Sequence, residues 1–261
     1  MYMLLFMPGK ADAQFSAKPF SDPATGENYH FEFAVEFWNP PLDLKVASER
    51  LGISGTQIDA TADLGLAQKK LLEMRIVLRP AKKHKFRLNY LPMTYSGQST
   101  IHREFIFNGQ RFGVNLPVTT QFEWKTWVVA YEYDFYYTDK GFVGLTLNSK
   151  FTKTLVNIKS PIVTEFASAQ APVPTIGGIA RVYVVPNISI TADINGIKIP
   201  QSVNADYKAH YFDFDLYGTV NFNNYVGAQL GYRNIDIGYK FKQDEGTFKM
   251  KGVYFGGVVR Y

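Results

Sequence analysis

Val253-Tyr254-Phe255-Gly256-Gly257-Val258-Val259-Arg260-Tyr261 is the stretch that decides how this chain is read. Counting back in twos from Tyr261 gives Val259, Gly257, Phe255 and Val253, all aromatic, apolar or small. Arg260 and Tyr254 fall between them. A period of two with one apolar face is a half-buried strand. Such a strand suits a soluble β-protein or a sheet whose apolar face meets lipid, and the segments upstream choose between the two.

The same alternation recurs along the chain. Tyr29, Phe31, Phe33, Val35 and Phe37 share one face, against Glu32 and Glu36. Leu72, Met74, Ile76 and Leu78 oppose Glu73, Arg75 and Arg79; Phe86, Leu88 and Tyr90 oppose Lys85, Arg87 and Asn89. Trp127 to Phe135 alternates against Glu132 and Asp134, and Val143, Leu145 and Leu147 against Asn148 and Lys150. Further on, Ala180 and Val182 oppose Arg181, Ile190 and Ile194 oppose Asp193, and Phe214 and Leu216 oppose Asp213 and Asp215. Leu230 and Tyr232 then oppose Arg233.

Connections alternate as well. Short turns fall near 80–83, 138–141, 186–187 and 223–224; longer ones are expected near 39–69, 97–118, 155–172, 198–206 and 239–247. Short turns on one side and long loops on the other is the layout of an up-and-down transmembrane β-barrel. The fold is therefore all-β and antiparallel, with about ten strands and both ends on the short-turn side. Promoting Ile53–Leu66 and Ile101–Asn108 to strands would give twelve, but neither carries a complete apolar face.

Composition agrees. No run of 18 apolar residues exists, so a helical span is excluded. A mean hydropathy of −0.14 suits strands that average a lipid face with a lumen face. Aromatics make up 16%, enough for girdles at two membrane interfaces. With no cysteine there is no disulfide or thiolate metal site. The net charge of +5 comes with no nucleic-acid motif, and no cofactor or metal spacing is present. Ala11-Asp12-Ala13 after Met3-Leu4-Leu5-Phe6-Met7 reads as a signal-peptidase site. Residues 1–13 are thus expected to be the remnant of a secretion signal whose start lies upstream. Residues 14–261 form a single barrel domain.

The terminal stretch, through Val253, Phe255, Val259 and Tyr261, resembles the C-terminal assembly signal of Gram-negative outer-membrane barrels. The chain as a whole resembles a branch of Gram-negative outer-membrane β-barrel proteins without an assigned activity. The resemblance is carried by Gly55-Thr56-Gln57-Ile58-Asp59, Asp63-Leu64-Gly65-Leu66, the strand–turn–strand of 72–95, Asn195-Gly196-Ile197, Gly231-Tyr232-Arg233 and the aromatic C-terminus. It implies the bacterial outer membrane, the barrel-assembly machinery as a partner during biogenesis, and no chemistry.

Function must then come from the lumen and the rims. With the apolar rows facing lipid, the inward charges are Glu32, Glu36, Glu73, Glu132, Asp134, Asp193, Asp213 and Asp215 against Arg75, Arg79, Lys85, Arg87, Lys150, Arg181 and Arg233. Near balance in a narrow barrel predicts a salt-bridged, largely occluded lumen. That suits a monomer with a structural or narrow small-solute channel role. The alternative is an enzyme acting on lipid A or peptides at the outer rim, where His210 with Asp206 or Asp213, and His102 in its loop, are the candidates. A soluble barrel holding an apolar ligand is a third class. Lys240, Lys242, Lys249 and Lys251 flank the last long connection and are expected to meet lipopolysaccharide phosphates at a basic rim.

Overall fold

The computed structural model describes residues 24–47, 55–199, 207–241 and 244–261. The remnant assigned to residues 1–13, Asp206 and Lys242 lie outside them. In chain order the strands are β1 (Phe31–Trp38), β2 (Leu42–Ala47), β3 (Ile58–Asp59), β4 (Leu71–Ala81), β5 (His84–Thr100), β6 (Phe105–Phe107) and β7 (Gln110–Phe112). They continue as β8 (Pro117–Thr138), β9 (Gly141–Lys159), β10 (Thr164–Val185), β11 (Ile188–Ile199), β12 (Tyr207–Asn221), β13 (Val226–Phe241) and β14 (Asp244–Arg260).

Ten of these close an antiparallel barrel in the order β1-β4-β5-β8-β9-β10-β11-β12-β13-β14, with β1 pairing back onto β14. Closure leaves no open edge at membrane depth, which lipid would not satisfy. The seam runs from Glu32 opposite Arg260 to Trp38 opposite Tyr254. The Tyr261 backbone accepts from Phe31 N–H at 2.8 Å and donates to Phe31 C=O at 2.8 Å. The two segments of the twelve-strand alternative supply no wall strand among the described residues. Ile58–Asp59 is a two-residue strand on β2, and Phe105–Phe107 pairs with β7 in a separate hairpin.

The apolar rows face outward, except that Tyr29, placed with the Phe31 row by its parity, precedes β1 and turns inward, buried beside the Arg79 and Arg260 guanidiniums. Val129, Leu145, Ile190 and Leu230 are 49%, 54%, 44% and 62% exposed on the barrel exterior. Residues between them point inward and are buried. A closed barrel with a polar-lined lower lumen and an apolar exterior belt is a membrane-spanning wall.

Two connections differ from expectation. β9 runs to Lys159 and β10 starts at Thr164, so 155–172 is mostly strand around a tight turn. β13 and β14 likewise consume most of 239–247, whereas 101–116 is a long connection that holds β6 and β7. Pro172 and Pro174 disguised β10. They pair with Phe151 and Ser149 of β9, below the point where the ladder to β11 begins at Ile176. Proline is tolerated there because that side of β10 has no ladder to lose.

The strands are also longer than a bilayer needs. β8 and β10 have 22 residues each and β9 has 19, where about 9–11 span the hydrocarbon. The surplus carries the wall roughly 35 Å along the strand beyond the belt. In that outer half the pattern inverts. Thr119, Gln121, Glu123 and Lys125 of β8 face water, while Val118, Phe122 and Trp124 face the interior. Leu91, Met93 and Tyr95 prolong the inward row that Lys85, Arg87 and Asn89 began on β5.

Candidate functional site in the lumen

Three layers fill the barrel from the short-turn end outward. The first is a latch made by the segment before β1. Thr25 N–H donates to Pro186 C=O at 2.6 Å, and Asn221 Nδ2 donates to Thr25 C=O at 2.8 Å. Glu27 thereby enters the mouth and is buried. Its Oε2 accepts from Tyr183 OH at 2.8 Å and from Arg181 Nη1 at 3.1 Å; Arg79 lies 3.5 Å from Oε1 and also donates to the Glu27 carbonyl. Gly26 is required beside it. Its φ is +80°, and a Cβ there would stand 2.8 Å from Arg260 Nη1.

The second layer is an ion-pair network at membrane depth. Arg260 meets Glu32 at 2.6 Å, and Arg75 meets Glu36 at 3.0 Å. Lys85 bridges Glu132 at 2.8 Å and Asp134 at 2.9 Å. Arg87 joins Glu132 to Asp193, the latter at 2.7 Å. Arg233 binds Asp213 through both Nε and Nη2 at 2.9 Å and also contacts Glu73; Lys150 reaches the same Asp213 at 2.9 Å. Asp215 accepts from Tyr254 OH at 2.8 Å. Arg181 donates to Thr191 at 2.9 Å besides its Glu27 contact. Each inward charge named from the alternation thus sits on the lumen side with a polar partner. The network leaves a cavity of about 40 Å³ lined by Glu73, Arg75, Arg87, Lys150, Asp193 and Asp213 among others. That is room for about three waters.

The third layer is apolar. Leu42, Leu44 and Val46 point inward from β2, which extends the wall by pairing with Glu245–Met250 of β14; Ile58, Leu64 and Leu66 after it and Phe105, Phe107 and Phe112 of the β6–β7 hairpin fold inward. They pack against Leu91, Met93, Tyr95, Phe122, Phe248 and Met250 of the wall. Trp124 and Phe248 stack at 4.7 Å, and Phe105 and Phe112 at 5.2 Å. Polar ties hold the plug from outside. Arg103 grips Asp63 at 2.5 and 2.9 Å and Gln57 C=O at 2.7 Å. Burial pushes the Asp63 carboxyl up, but the hydrogen bonds from Arg103 and the Asp59 N–H outweigh it and hold the pKa below its ordinary value.

The rim candidates do not assemble. His210 points outward to Asp236 at 3.1 Å, whereas Asp213 points inward, so the two occupy opposite faces of β12. His102 is exposed in the loop beside Arg103. Of the basic rim, Lys249 lies 3.3 Å from Asp236, Lys251 is exposed two positions above Val253, and Lys240 stands opposite Lys208 and Glu245. Val253, Phe255, Val259 and Tyr261 of the terminal strand all face outward and are exposed.

Sequence reasoning missed Glu27, Tyr183, Tyr254 and the pairing of Arg260 with Glu32. Glu27 precedes the first alternating stretch, so no periodicity marks it. Arg260 and Tyr254 stood in the inward row of the terminal strand, and that parity was the available signal.

No family model and no curated protein sequence matches the chain. Among solved structures, the outer-membrane protease OmpT of Escherichia coli is similar in fold, with a TM-score of 0.57 at 6% identity. The match covers 93% of this chain and 100% of that one. A FadL homologue of Pseudomonas aeruginosa is more distant, with a TM-score of 0.41 and 12% identity over 87% of this chain and 66% of that one. The toluene transporter TodX of Pseudomonas putida scores 0.36 at 9% identity, covering 94% and 95%. The chain is a ten-stranded β-barrel of the outer-membrane class. Its exterior apolar belt and closed wall locate it in the bacterial outer membrane.

Proposed function

We propose that this barrel is closed at rest, with a structural role or that of a narrow channel for small solutes. The observation that carries the reading is double occlusion. A cavity of about 40 Å³ lies between the Glu27 latch and the apolar plug, too small for any solute larger than a few waters. The pairing of charges between them supports the same reading, since an open aqueous lumen would not need it. In this reading the protein is a monomer that belongs with the outer-membrane barrels it resembles. It is folded by the barrel-assembly machinery through its terminal strand, Val253 to Tyr261.

The rim-enzyme reading has no observation in its favour, because the paired His210 and Asp236 face away from the mouth. Planar-bilayer recording tests the proposal. The wild type should show no large steady conductance. Glu27→Ala combined with deletion of residues 104–113 breaks the latch and thins the plug, and should raise brief openings above the wild-type level. Porin-like steady conductance from the wild type would overturn the reading.

A further inference from the structure

The outer edge of the apolar belt carries a regular feature. On β8 the outward side chain after Trp127 is Lys125; on β9 the one after Phe151 is Lys153. On β11 the first side chain beyond Ile194 is Lys198, since Gly196 has none. On β12 the residue after Phe212 is His210, and on β14 the residue after Val253 is Lys251. Five strands thus place a basic residue in the first outward position above lipid. Pro92 of β5 and Pro174 of β10 interrupt the ring.

Register tightens it. Lys125 is the direct partner of Lys153, and Lys198 of His210. Like charges directly opposite destabilise a sheet unless an anion lies between or beside them. Glu123 takes Lys125 at 2.7 Å, and Asp236 takes both His210 at 3.1 Å and Lys249 at 3.3 Å. Among the described residues Lys198 and Lys251 form no ion pair; Lys153 makes no ion-pair contact but lies within the field of Glu123, and all three are exposed. They stand about 7 Å along the strand, or about 13 Å for Lys198, past the last apolar side chain. That is the depth at which the headgroup phosphates of an outer leaflet lie.

We propose that Lys153, Lys198 and Lys251 form a girdle that binds the phosphate groups of the outer-leaflet glycolipid. An ammonium binds phosphate as a point charge and tolerates the mobile geometry of a lipid head. The chains of the same glycolipid would cover Phe151, Ile194 and Val253 immediately below. Lys240 pairs directly with Lys208, two residues past His210, and so stands near the girdle's own level. Lys159 is also exposed and outward, but it lies eight residues beyond Phe151. That is roughly 27 Å along the strand, more than three Debye lengths of about 8 Å. The site is therefore at the belt edge and not at the outer end of β9, where Lys159 stands. It does not depend on whether the lumen is closed.

The test compares full-length K153Q/K198Q/K251Q with K159Q, both extracted from outer membranes in mild detergent. Glycolipid per folded barrel is read by native mass spectrometry, with heat-modifiable mobility as the check of folding. Each girdle lysine is worth roughly fivefold in lipid retention. The triple variant should therefore lose at least fivefold, while K159Q keeps wild-type lipid. Should the triple variant fold poorly, the single exposed variants K198Q and K251Q are read the same way. Equal retention in all variants, equal loss in both sets, or displacement of the glycolipid by millimolar inorganic phosphate would each overturn the girdle.

Discussion

Arg233 of β13 holds Asp213 of β12 through two parallel hydrogen bonds of 2.9 Å, with Glu73 on its remaining nitrogen. Lys150 meets the same carboxylate from β9, so one arginine ties three walls of the barrel across the lumen.

Arg233→Ala should therefore cost roughly 3–5 kcal/mol, because it strands buried carboxylates. Arg233→Met with Asp213→Leu removes that pair but strands Glu73 and Lys150, so it should remain destabilised until Glu73→Gln and Lys150→Met are added. Unfolding in detergent followed by heat-modifiable mobility measures both. A single variant as stable as wild type would contradict the network.

Ile190 lies on the outward face of β11, 44% exposed in the belt. Ile190→Arg should destabilise by roughly 2–4 kcal/mol if the site is near the bilayer midplane. Lys125→Arg, above the belt, should change little. Refolding equilibria in lipid vesicles check the contrast.

The plug depends on a close approach between two glycines. A Cβ on Gly97 would stand 2.4 Å from the Gly65 carbonyl, and Gly65 itself has φ +68°. Gly97→Ala should therefore loosen the 60–66 turn and leave the membrane wall intact. Limited proteolysis of whole cells should then cut the outer half, while the belt-level fragment stays protected.

The Asp63–Arg103 tie lies outside the membrane and responds to pH. A carboxylate whose folded pKa is depressed contributes stability that is present above its unfolded pKa, about 3.9. That contribution is lost as pH falls through the folded value. The protection of amides in the 59–66 turn, corrected for the intrinsic pH dependence of exchange, should therefore be flat from pH 8 to 5 and fall only below about 4. Asp63→Asn should lower it at neutral pH and remove the acid step.

Closure at the short-turn mouth rests on Glu27. Glu27→Gln keeps the shape but removes the charge that faces Arg79 and Arg181, so it should raise exchange of the Thr25 and Gly26 amides. Tyr183→Phe removes one hydrogen bond and should cost about 1 kcal/mol. Amide exchange that is unchanged in both variants would show that the segment seats without Glu27.

The sequence by itself determined the wall at membrane depth. A strict period of two through Phe31–Trp38, Ile188–Asn195 and Val253–Tyr261 settles which side chains meet lipid, because a one-residue slip would bury the whole charged row there. Parity of turns then set the strand number at ten. What only the tertiary structure decided is the outer half and the latch. Past the belt the solvent outside changes from lipid to water, so the same strand must turn its apolar row inward, as Phe122 and Met93 do. A period of two looks the same with either face inward, so it cannot report that inversion. Glu27 and the β6–β7 hairpin are placed by contacts across up to 156 residues of chain, such as Tyr183 to Glu27, and no local pattern encodes a partner so distant.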